Sequence, residues 1–97
     1  MRLLGGTDLR GLAVDDKGMI YAAESGGRRV IKITPEGKVT AVLKADGWIP
    51  TGVAVTGDEV YVLEFDDAPP TVWRPRVRKL SADGKVTVLA EIPARRG

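Results

Sequence analysis

Apolar residues along this chain come in short runs, never in a helical stripe. Eight stretches of four to seven residues, rich in Val, Ile, Leu, Ala and Tyr, are each bounded by Gly, Pro, Asp or Ser. Nowhere does a 3.6-residue apolar period persist for ten residues, so no helix is predicted. The runs have the length and composition of β-strands, and the punctuation between them is that of tight turns. Asp15-Asp16-Lys17-Gly18 and Thr56-Gly57-Asp58 are predicted to turn between first and second strands. Pro35-Glu36-Gly37 and Ala82-Asp83-Gly84 are predicted to turn between third and fourth strands.

The eight runs are two copies of one four-run unit. Gly11–Val14, Met19–Glu24, Arg29–Ile33 and Gly37–Leu43 align with Gly52–Val55, Glu59–Glu64, Arg76–Leu80 and Gly84–Ala90. The offset is 41 residues from Gly11 to Gly52 and 47 from Ile33 to Leu80. An insertion between Glu64 and Arg76 accounts for the difference, less one residue lost in the first turn. Four antiparallel strands recurring at this period predict β-propeller blades. The fold class is therefore all-β, a single unit over residues 1–97 with one blade at about 9–45 and a second at about 50–92.

The wording of the repeat resembles the NHL repeat. The resemblance is carried by Gly11-Leu12-Ala13-Val14-Asp15, then Gly18-Met19-Ile20-Tyr21-Ala22-Ala23-Glu24, then Arg28-Arg29-Val30-Ile31-Lys32-Ile33. Thr51–Val55 and Val60–Glu64 repeat the pattern, and residues 9–92 are covered. Two features depart from it. Glu24 and Glu64 stand where the family usually has Asp, and the second unit carries the insertion. The family includes larger six-bladed proteins resembling gluconolactonases and lyases, and this chain looks like a terminal pair of such blades.

Two blades leave two apolar faces uncovered. Val30, Ile33, Tyr21, Leu63, Val77 and Leu80 all need packing partners, and exposed apolar faces mark association surfaces. The two faces differ, so their contact is heterologous and closes a ring when the rotation permits. With six blades implied by the resemblance, the expectation is a homotrimer forming one six-bladed propeller. A tetramer of eight blades competes with it, as does a fragment of a larger propeller.

Composition narrows function mostly by subtraction. Apolar residues at 43% and charged residues at 29% are ordinary for a globular domain. A formal charge of +2 is too weak to argue for nucleic acid. Arg74, Arg76 and Arg78 with Trp73 are the candidates for it, but Arg76 and Arg78 alternate on a strand, so at most one face is basic. No cysteine means no disulfide and no thiolate zinc site. No histidine removes the commonest general base and metal ligand. No apolar run is long enough to span a bilayer, so no membrane is expected; a chain natively starting at Met1 would be cytoplasmic.

Blade connectivity separates a loop face from a turn face. The loop face collects Asp8, Arg10, residues 24–29, residues 46–51 and the insertion from Phe65 to Pro75. Sites favour loops held on a rigid scaffold. Trp48, Asp66, Asp67, Trp73 and Arg74 are the candidate ligand- or partner-binding residues. Trp73 has a packing alternative, at the ring edge or against a neighbouring chain. Glu24 and Glu64 end the second strands, across the hairpin from Arg29 and Arg76. The plainer expectation is an ion pair within each blade. The other is a ring of carboxylates, assembled in the trimer, holding a divalent cation such as calcium. The turn-face residues are assigned no function. The reading is a non-catalytic, self-assembling module for protein or ligand binding. The alternative is a metal-dependent lactone hydrolase- or lyase-like enzyme with its site at the ring centre. Relatives of that kind use metal or histidine, and this chain has neither His nor Asn to match to their ligands.

Overall fold

A computed structural model describes residues 9–45, 47–66 and 74–91. All regular structure in them is β, in eight strands: β1 Leu9–Val14, β2 Ile20–Glu24, β3 Arg29–Ile33, β4 Val39–Lys44, β5 Ile49–Thr56, β6 Glu59–Asp66, β7 Arg74–Leu80 and β8 Val86–Glu91. They form two four-stranded sheets, β1-β2-β3-β4 and β5-β6-β7-β8, with every neighbouring pair antiparallel. Each sheet is the meander expected of a blade. Among the described residues no helix is long and apolar enough to cross a membrane.

The turns follow their residue types. Asp15 Oδ1 accepts from the backbone N–H of Lys17 and of Met19, both at 2.9 Å, which folds the β1–β2 connection. Thr56 pairs with Glu59, leaving Gly57-Asp58 as a two-residue hairpin, and Gly57 takes the positive φ (57°) that such a turn needs.

Pairing also fixes which side chains share a face, since residues alternate along each strand. In the first sheet, Tyr21, Val30 and Leu43 face the second sheet. There Val53, Val55, Val60, Val62 and Leu80 meet them, forming one core with Val30 and Val62 fully buried. Burial of each such side chain is worth about 1.5–3 kcal/mol. The sheets close most tightly at Gly11. A Cβ there would sit 2.7 Å from the Thr51 carbonyl oxygen and 3.0 Å from the Gly52 Cα. Only glycine allows that approach.

The two remaining faces point outward. On the first sheet, Ala22, Ile31 and Ile33 cluster with Ile20 and Val39, while Leu12 and Val14 on β1 are 63% and 56% exposed. On the second sheet, Gly52, Ala54, Tyr61, Leu63 and Val77 line an apolar hollow of about 300 Å³. Of the residues for which sequence demanded partners, Val30 and Leu80 pack between the sheets and Ile33 in the outer cluster. Leu63, on the outer face of the second sheet, stays 37% exposed.

The insertion is shorter as a loop than its sequence suggests. β6 and β7 each run two residues into it, pairing Phe65 with Pro75 and Asp66 with Arg74. Pro75 stands opposite Phe65 of β6, one residue before Arg76, the first β7 residue paired with β8 among the described residues. Pro50 lies in an edge strand, beside a register shift between Pro50 and Gly52.

Candidate functional site

Three arginines alternate along β7, and the pairing puts Arg74, Arg76 and Arg78 on one face, opposite Asp66, Glu64 and Val62 of β6. Glu64 is fully buried, so its charge needs partners. The tighter partner is not the arginine directly across. Arg78 leans diagonally to grip the carboxylate as a fork, its Nε donating to Oε1 and its Nη2 to Oε2, both at 2.8 Å. Arg76, directly opposite, donates only from Nη2, at 3.3 and 3.4 Å. A diagonal cross-strand neighbour is within reach of so long a side chain. Arg78 Nη2 also donates to the Lys44 carbonyl oxygen at 3.0 Å, which ties the second sheet to the end of β4.

Trp48 covers this charge cluster. It precedes β5, and the Arg76 Cζ lies 3.8 Å from its ring centroid, with the Arg74 Cζ at 5.3 Å. Guanidinium planes over an indole are attracted by its negative face. Arg74 Nη2 donates to Asp66 Oδ2 at 2.9 Å. The Nε atoms of Arg74 and Arg76 are buried and have no hydrogen-bond partner among the described residues. Trp48, Asp66 and Arg74, taken from sequence as candidates, are therefore brought together, and Arg76 and Arg78 join them. Asp67 and Trp73 lie outside the described residues.

In the first sheet, Glu24 is also fully buried, and Arg29 donates to it from Nε. Gly27 stands beside this pair, and a Cβ there would come 2.7 Å from Glu24 Oε1. The pairing expected within each blade is present in both, with arginine around each carboxylate. Among the described residues no three His, Cys, Asp or Glu side chains group to hold a metal ion. The two sheets are also linked here by Ser25, whose hydroxyl donates to the Pro50 carbonyl oxygen at 2.6 Å.

The opposite end holds a feature the sequence did not signal. A cleft of about 260 Å³ opens between the sheets, lined by Tyr21, Lys32, Asp58, Leu80 and the Ser81–Gly84 turn. Beside the cleft Lys17 Nζ bridges to Asp58 at 3.4 Å, and this hydrogen bond raises the lysine pKa. The turns are ordinary in sequence; only stacking of the sheets makes a cleft between them.

Burial raises the Tyr21 pKa above its usual 10.0, the Asp15 and Asp58 charges adding to the shift and Lys17 opposing it. Its folded pKa thus exceeds the unfolded value, so its neutral form costs nothing below pH 10. Stability falls as pH rises above that value, where the unfolded chain releases the proton first. A phenolate absorbance titration of a Tyr61→Phe variant is expected to show Tyr21 ionising above pH 10, together with onset of alkaline unfolding.

No protein-family model and no curated protein sequence matches the chain. Solved structures do match. A chain in the crystal structure of a nidogen/laminin complex aligns with a TM-score of 0.53 at 15% identity, covering 88% of this chain and 49% of that one. Virginiamycin B lyase from Staphylococcus aureus, a selenomethionine-substituted crystal structure, aligns with a TM-score of 0.51 at 16% identity, covering 84% of this chain and 41% of that one. This chain thus spans less than half the length of either. Both neighbours are β-propellers, and the two sheets form a partial propeller of the same kind.

Proposed function

We propose that the chain is a non-catalytic propeller module of NHL type for protein or ligand binding, completed by self-assembly of three copies into a six-bladed ring. The observation that carries this reading is the apolar hollow on the outer face of the second sheet, around Gly52, Leu63 and Val77. An uncovered sheet face of this kind asks for another sheet. Leu12 and Val14 offer an exposed apolar strip on the other outer face. Six blades follow from the NHL resemblance, and four copies in an eight-bladed ring are the competing closure.

The ligand face in this reading is the loop end, where Trp48 stacks on Arg76 and Arg74 beside Asp66. The Arg74 side chain, 28% exposed, suits an oxyanion group, a carboxylate or phosphate, as partner. Glu24 and Glu64 favour the non-catalytic side of the reading, since arginines already hold both carboxylates.

Light scattering on the size-exclusion peak tests the assembly. Three times the chain mass of 10.4 kDa is expected. Four times that mass replaces the six-bladed ring with an eight-bladed one, and a single-chain mass at every concentration overturns self-assembly.

A further inference from the structure

Within its own chain Gly52 is constrained only by Leu63, whereas Gly11 is held against backbone. The Gly52 φ lies outside the left-handed region, and an added Cβ would meet only the Leu63 side chain, at 3.3 Å. Glycine inside a strand weakens it and commonly marks close approach of another backbone. The repeat supplies a counterpart. Gly52 pairs with Leu63 as Gly11 pairs with Ala23, each just after the register shift of its first strand. At Gly11 that approach is present: the backbone of Thr51, Gly52 and Val53 lies against it.

We infer that Gly52 is the contact point for a second copy of this chain, whose β1 lies across the outer face of the second sheet as β5 lies across Gly11. This rests on the self-assembly reading above and specifies its interface. Translating the internal contact by one repeat puts Arg10, Gly11 and Leu12 of the second copy against Gly52. The same translation fills the hollow beside Gly52 with the exposed Leu12 strip, much as Val53 and Val55 fill the space beside Tyr21 and Val30. It replaces the Ser25-to-Pro50 hydrogen bond with an apolar contact between Phe65 and Leu9 of the second copy, the latter 40% exposed. Lys32 shares the cleft with Asp58, and its counterpart Lys79, paired with Glu59 at 3.4 Å, would lie beside the Asp15–Gly18 turn of the second copy. A second copy is favoured as occupant because the chain's own first sheet carries the face that matches.

The test uses the full chain in two arms. Gly52→Val puts a branched side chain into the inferred contact, where overpacking opposes the approach of the second copy. Self-association is expected to weaken at least about tenfold. The second arm uses the absence of native cysteine. A Leu9→Cys/Phe65→Cys variant carries its two thiols on opposite outer faces, so they pair only between copies. Oxidation is expected to give covalent closed oligomers, and this arm decides should Gly52→Val fail to fold. Undiminished association of a folded Gly52→Val, or oligomers that do not cross-link, overturns the Gly52 contact and leaves self-assembly standing. A chain that stays monomeric overturns both, its outer faces then belonging to some other sheet.

Discussion

Glu64→Ala is expected to destabilise the protein by about 3–5 kcal/mol, read as a large fall in the urea midpoint. The variant leaves Arg78 and Arg76 with 14% and 15% exposed side chains and no carboxylate between them. Removing one partner of a buried ion pair costs about 3–5 kcal/mol, because the remaining charge is left uncompensated in a poorly polarisable site. Domains typically have only about 5–15 kcal/mol in hand, and a small one has little core to absorb the loss. Glu64→Gln keeps the volume and one acceptor oxygen and is expected to lose less, about 1–3 kcal/mol. Arg78→Ile is expected to be milder than Glu64→Ala, for a reason the first sheet supplies. There the matching position is Ile31, fully buried, and Arg29 donates to the buried Glu24. Arg78→Ile puts the first sheet's residue type at that place and keeps Arg76 on Glu64, giving up the fork and the bond to the Lys44 carbonyl. Urea midpoints ranking Glu64→Ala as no worse than Arg78→Ile would refute this account of the cluster.

That cluster marks how far sequence carries. The repeat made the sheets legible, because an alternating apolar strand written twice, with glycine turns at matching places, has few other ways to fold. It also made the first-order ion pairs legible, since Glu64 and Arg76 face each other in a simple hairpin. The role of Arg78 was not legible. Its register partner is Val62, and only the angle at which a long side chain crosses the sheet brings it to Glu64. Trp48 was legible as a loop aromatic, but its stacking on Arg76 depends on how sharply Gly47 and Trp48 turn the chain from one sheet into the next. The cleft beside Tyr21 belongs to the space between two sheets and has no trace in either strand. Pro75 shows a converse case: local rules end a strand at proline, yet β7 runs through it, paired with Phe65 of β6.

Leu43 and Leu89 offer the second test, one that separates what holds a chain together from what joins one chain to another. Leu43 is 6% exposed and belongs to the core between the sheets. Leu43→Ala is expected to lose about 2–5 kcal/mol, the transfer cost of the missing methyl groups plus that of the void they leave. The loss comes from within one chain, so it is expected at every protein concentration. Leu89 is 50% exposed, at the register shift between β7 and β8. Val42 holds the matching place in the first sheet and packs against the inner core. If a second copy covers the outer face as the second sheet covers the first, Leu89 stabilises the assembly as Val42 stabilises the chain. Stability that depends on a bound partner follows mass action and fades on dilution. Leu89→Ala is therefore expected to lower the urea midpoint at high protein concentration and to have little effect when the protein is dilute. The measurement is a pair of denaturation series across a wide concentration range. Equal losses for Leu89→Ala at both ends would mean that Leu89 contributes within one chain and would remove it from the association surface.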